Sequence, residues 1–176
     1  MDQIRRLNQF PWIKRELEEL GHKVICPQFP TPENQSFENW KRIAEECLAG
    51  LNSEETILIG HSIGAIFALR LAELAITPYK VIFAVCPFAK DLGLKEYDKL
   101  NASFIQSSID WSKVNAGAKE VVLFAGNNDP YVPLKYSEEI AESLGKELIV
   151  IKKGGHLNTE SGFYKFPELL EKIMLN

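Results

Sequence analysis

Ser62, Asp129 and His156 are three residues of this chain whose types and order suit one another for chemistry. Ser62 lies in Gly60-His61-Ser62-Ile63-Gly64, a G-x-S-x-G pattern. A serine hydroxyl is a weak nucleophile until a base takes its proton, and that base needs a third group to orient it. The chain offers 3 histidines. His22 lies just beyond a helix stop and reads as structural, while His61 adjoins Ser62 and its side chain is expected to point elsewhere. His156, in Lys153-Gly154-Gly155-His156-Leu157-Asn158, follows the last apolar run on a glycine-rich loop and is the candidate base. Asp129, in Ala125-Gly126-Asn127-Asn128-Asp129-Pro130, holds the same place after the preceding run. Taken alone it would be a turn residue; beside a histidine it would hold the imidazole. The chemistry this set suits is acyl transfer, with Ser62 as nucleophile, His156 as base and then acid, and Asp129 as orienter.

Such residues act only if regular elements bring them together. Thr56 to Ile59 is a short apolar run expected to form a strand buried on both faces, and Ile63 to Ala75 is almost wholly apolar, as suits a helix packed on that sheet. Ser62 would then occupy the sharp turn between them, a nucleophile elbow for which both Gly60 and Gly64 are expected to supply clearance. The backbone N–H of Ile63 would face the developing oxyanion from the helix N-terminus.

Elsewhere the chain alternates. Helices are expected over Pro11 to Leu20, after Ser36 as cap, over Leu134 to Leu144 with Gly145 as stop, and over Pro167 to Leu175. Strands are expected over Lys23 to Cys26, Lys80 to Cys86, Glu120 to Ala125 and Glu147 to Ile151. This rhythm predicts a single α/β domain, a three-layer sandwich around a mostly parallel sheet. Ser62, Asp129 and His156 then each follow the carboxyl end of a separate strand, where such sheets carry their sites.

The stretch from Pro87 to Lys119 breaks the rhythm. Phe88, Tyr97, Phe104 and Trp111 lie there among polar residues, and two readings stand: a small cap whose aromatics line a substrate pocket, or two short surface helices with a few buried rings.

Composition bounds the class. The 176 residues are 45% hydrophobic and 25% charged, enough for one domain with a substantial core. A net charge of −4 gives no reason to expect nucleic acid or an anionic membrane as partner. Cys26, Cys47 and Cys86 are odd in number and lie in apolar runs, which fits reduced core thiols and a cytoplasmic protein. No apolar run approaches the ~20 residues of a membrane span.

The order Ser62, Asp129, His156 is that of α/β-hydrolases. The chain resembles the small serine hydrolases of the retinoblastoma-binding protein 9 type. The resemblance runs through Phe10-Pro11-Trp12, Leu20-Gly21-His22-Lys23-Val24, the elbow, Ile109-Asp110-Trp111, Gly126-Asn127-Asn128-Asp129-Pro130-Tyr131-Val132-Pro133 and Gly154-Gly155-His156-Leu157-Asn158, and closes with Phe166-Pro167-Glu168-Leu169. It implies Ser62, Asp129 and His156 as a triad in a hydrolase of carboxylic esters or amides that needs neither cofactor nor metal. In that family a strand ending in His-Gly precedes Phe-Pro-Trp, and Met1 to Gln9 carry neither glycine nor a buried-strand pattern. The expectation is therefore an α/β-hydrolase domain lacking its first strand and the loop with the second oxyanion donor. It would be weakened in activity and prone to self-association through the sheet gap, and truncation is the favoured cause. The alternative is a binding protein on a hydrolase scaffold, with little or no catalysis.

Overall fold

The computed structural model describes residues 10–176. Four strands, β1 (Ile57–His61), β2 (Tyr79–Val85), β3 (Ala118–Gly126) and β4 (Leu148–Ile151), form a sheet in the order β1-β2-β3-β4, and every neighbouring pair is parallel. Parallel neighbours need crossovers. α3 (Ile63–Glu73) joins β1 to β2, α4 (Lys95–Ile105) and α5 (Trp111–Ala116) lie between β2 and β3, and α6 (Leu134–Leu144) joins β3 to β4. α1 (Phe10–Glu19) and α2 (Phe37–Leu48) precede the sheet, and α7 (Pro167–Met174) follows it.

Local chemistry sets the helix ends. Ser36 caps α2 by accepting the Asn39 N–H at 3.2 Å, and Gly145 ends α6 in the left-handed region at φ 63°. Pro167 begins α7, where its missing N–H costs nothing.

The side-chain alternation of the strands divides the core between two faces. Ile82 and Ala84 of β2 join Trp40, Phe67, Leu69 and Phe104 on one face. Val81, Phe83 and Val85 join Phe124, Leu157, Phe166 and Leu169 on the other, closed by Ile13 and Leu17 of α1. The layered α/β sandwich expected from the sequence is the fold of the described residues.

Three expectations need correction. Lys23 to Cys26 is not a strand. Strand identity requires a hydrogen-bonded ladder, and among the described residues none forms there, although the Val24 side chain still packs against the second core face. The cysteines are not all core thiols: Cys26 is exposed, Cys47 half-buried and Cys86 buried. Phe104, offered as a pocket residue, is fully buried among Phe37, Trp40 and Phe67 in the first core face. The expectation of a missing strand rests on Met1 to Gln9, which lie outside the described residues.

The stretch between β2 and β3 is pinned to α3 by Arg70. Its guanidinium donates to the carbonyls of Phe104 (3.1 Å), Ser107 and Ser108, and pairs with Glu73 at 3.0 Å. Buried charge is tolerated here because its donors are met.

Candidate active site

Ser62 stands at the turn between β1 and α3 with φ 57° and ψ −123°, a conformation that a non-glycine residue adopts only under constraint. The constraint is visible. Ser62 donates its N–H to Val85 O (2.8 Å) on the neighbouring strand, and its carbonyl accepts from Ala65 N (2.9 Å) in the first turn of α3. Gly60 is indispensable to that turn, because a Cβ there would lie 2.1 Å from the Gly64 carbonyl oxygen. Gly64 differs from expectation: a Cβ at its own position would meet nothing within 4 Å, so its side of the elbow is open space. Ile63 is the first residue of α3, and its N–H belongs to the unpaired amides of a helix start.

Asp129 and His156 meet. His156 Nδ1 lies 2.6 Å from Asp129 Oδ2, and the Asp129 side chain is only 2% exposed. A carboxylate can only accept, so Nδ1 carries the proton and Nε2 is left with the lone pair a base needs. Asp129 Oδ1 is occupied in turn by the backbone N–H groups of Tyr131 (2.8 Å) and Val132 (3.0 Å). Burial works against ionisation of Asp129, but its hydrogen bond to His156, the attraction of that ring in its protonated form and the two amides outweigh it and hold the carboxyl below its ordinary range.

The loops carrying these two residues are laced together. Asn127 Oδ1 accepts from Lys153 N, and Asn128 Oδ1 accepts from Gly155 N, both at 2.8 Å. Ser161 Oγ accepts the His156 N–H at 3.0 Å, and Asn158 holds Ser161 from below at 3.1 Å through its Oδ1. Gly155, with φ 55°, leaves room for the Ser161 hydroxyl, which a Cβ would meet at 2.2 Å. The short polar residues around Asp129 and His156 in the sequence were the available signal for these clamps.

His61 was expected to point away, and it reaches the same place. Its Nε2 donates to the carbonyl oxygen of His156 at 2.7 Å, and the two rings meet edge to face with centroids 4.6 Å apart. Burial, and then the neighbouring His156, push its pKa down to about 4. Cys86 at the end of β2 completes the cluster, with ligand atoms of His61, Cys86 and His156 all within 4.8 Å of one another. One nitrogen of each ring is already engaged, His156 Nδ1 with Asp129 and His61 Nε2 with a carbonyl, and Cys86 is a thiol whose pKa burial raises.

Around this centre Tyr131 lies edge-on to the His156 ring, 5.3 Å between centroids, and donates its hydroxyl to Glu160 at 2.9 Å. Tyr97 of α4 is 61% exposed. Of the other aromatics singled out, Phe88 is buried and Trp111 packs partly buried on the first core face. His22 lies exposed beyond α1.

Comparison with known proteins agrees with this architecture. Residues 9–174 match the family described as Serine hydrolase. The chain is 30% identical over 166 residues to the serine hydrolase RBBP9 of Rattus norvegicus, covering 93% of this chain and 83% of that one. It is also 30% identical over 161 residues to YdeN of Bacillus subtilis (strain 168), covering 90% of this chain and 82% of that protein. The crystal structure of the ydeN gene product superposes with a TM-score of 0.85 at 26% identity, over 96% of this chain and 89% of that one. The esterase domain of a Rhodothermus marinus protein, at 18% identity and a TM-score of 0.66, shares the fold.

Proposed function

The chain belongs to the serine hydrolase family, and on that premise we propose that it cleaves a carboxylic ester, or an amide, through an acyl-serine intermediate. The observation that carries this reading is the 2.6 Å contact between His156 Nδ1 and a buried Asp129 carboxylate, on a loop whose His156 carbonyl lies 2.7 Å from His61 Nε2 in the elbow. That contact leaves Nε2 as the proton acceptor.

Ser62 Oγ attacks the substrate carbonyl carbon while its proton passes to His156 Nε2. The carbonyl π electrons move onto oxygen, and the Ile63 N–H stabilises the oxyanion at the start of α3. The intermediate collapses, the bond to the leaving alkoxide or amine breaks, and His156 returns the proton to that leaving group. Water then attacks the acyl-serine as the same imidazole takes its proton; the bond from the acyl carbon to Oγ breaks, and the imidazolium returns the proton to Ser62 Oγ as the acid leaves. Asp129 stays ionised throughout and stabilises the imidazolium formed twice per cycle.

Labelling with a fluorophosphonate probe tests the assignment. Wild-type protein is expected to form one covalent adduct at Ser62, and Ser62→Ala none. A folded wild type that remains unlabelled would favour a binding role for the scaffold.

A further inference from the structure

We infer that His61 is a positioning residue, which ties the backbone of His156 to the elbow and so sets the reach between nucleophile and base. The inference rests on the roles of Ser62 and His156 proposed above.

His61 and His156 are 95 residues apart in sequence, yet the Nε2–H of one donates to the carbonyl oxygen of the other at 2.7 Å. One end of this link is a single peptide bond from Ser62; the other is the backbone of the base itself. The polar atoms of His156 are thereby assigned in turn. Its N–H is held by Ser161 Oγ, its Nδ1 by Asp129 Oδ2 and its carbonyl by His61, and the fourth, Nε2, is the atom the reaction uses. Without the His61 contact the loop keeps its ties to β3 and to Asn158, but loses this bond to the strand that carries the nucleophile. A misplacement of about 1 Å between reacting groups costs roughly 10² in rate.

Histidine suits the task because its ring is rigid and stays neutral. The titratable groups that face it are His156, Asp129 and Cys86. His156 becomes cationic when it takes the Ser62 proton, and a charged neighbour with its ring 4.6 Å away would oppose that step. With a pKa of about 4, His61 donates a hydrogen bond without adding charge.

The test compares wild type, His61→Leu, His61→Gln and Ser62→Ala on a short-chain p-nitrophenyl ester. His61→Leu is expected to lower kcat by roughly 30- to 100-fold while KM stays within about threefold. His61→Gln, whose amide can donate from a similar place, is expected to recover at least about tenfold of that loss. Wild-type kcat in folded His61→Leu, or equal loss in both His61 variants, overturns the inference. Should His61→Leu not fold, nitrogen-15 spectra of wild-type histidines decide it: His61 is expected as the neutral Nε2–H tautomer from about pH 5 to 8, and an Nδ1–H tautomer or a titration there overturns it. Activity surviving in Ser62→Ala would instead overturn the assignment of the nucleophile.

Discussion

Gly126 at the end of β3 lies so close to Gly155 that a Cβ added to it would stand 2.0 Å from the Gly155 carbonyl oxygen. This contact joins the strand leading into Asp129 to the loop that carries His156. Gly126→Ala must therefore push backbone against backbone, with no flexible side chain to yield. Overpacking of this kind costs about 1–3 kcal/mol, so Tm should fall by about 2–12 °C, at ~2–4 °C per kcal/mol for a chain of this size. Esterase activity at a temperature where the variant is still folded should fall as well, since the Asp129–His156 contact moves. Unchanged Tm and activity would show that the two loops are not held by this approach.

Asp129→Asn keeps the shape of the side chain but changes what it can offer. With an amide on Nδ1 the imidazole is free to take the wrong tautomer, and kcat should drop on the order of 10⁴ by analogy with serine proteases. The fall should be in turnover more than in KM. Near-normal turnover would remove Asp129 from the catalytic machinery.

Acid stability should report His61. In the unfolded chain it binds a proton near the ordinary value of 6.5, and in the folded protein only near 4. Between those values the unfolded state holds more protons, so stability rises with pH across the window and is lost as pH falls through it. The loss is on the order of 1–3 kcal/mol. Asp129, held below its ordinary value, contributes stability that is present above about 3.8 and disappears only at lower pH, after His61. Urea midpoints at about pH 7 and pH 4.5 should thus diverge more in wild type than in His61→Gln. Equal divergence would assign the acid sensitivity to other groups.

Tyr131 offers a ring to His156 and a hydroxyl to Glu160, and the two can be separated. Tyr131→Phe loses only an exposed hydrogen bond and should keep kcat near wild type. Tyr131→Ala removes the edge-to-face contact and should lower kcat roughly tenfold by loosening the imidazole. Steady-state kinetics of both variants check this, and equal effects would show that the ring does not matter.

Much of the architecture was legible because it is written in local chemistry. The change of hydrophobic period across Ser62 marks strand, turn and helix within a few residues, and the run Leu134–Leu144 with Gly145 has its bounds in its own composition. What failed depends on distant neighbours. Lys23 to Cys26 has the residues of a strand, but a strand exists only beside a partner. Phe104 and Tyr97 both read as aromatics in a polar stretch; one fills the core beside α3 and the other stands exposed, and aromatic content cannot distinguish these fates. The contact of the His61 side chain with His156 was not foreseen, because adjacency to Ser62 says nothing about a loop arriving from after β4.

The parallel order of the sheet also separates the parts of the machinery in time as the polypeptide is made. Ser62 and its elbow are complete in covalent sequence long before the base, since His61 and His156 stand 95 residues apart. At roughly 5–20 residues per second of translation, the serine waits about 5 to 20 s for its imidazole. Throughout that interval the nascent chain carries an ordinary, unactivated alcohol, so on the proposed assignment the nucleophilicity of Ser62 arises late in synthesis, once the residues on either side of β4 have met.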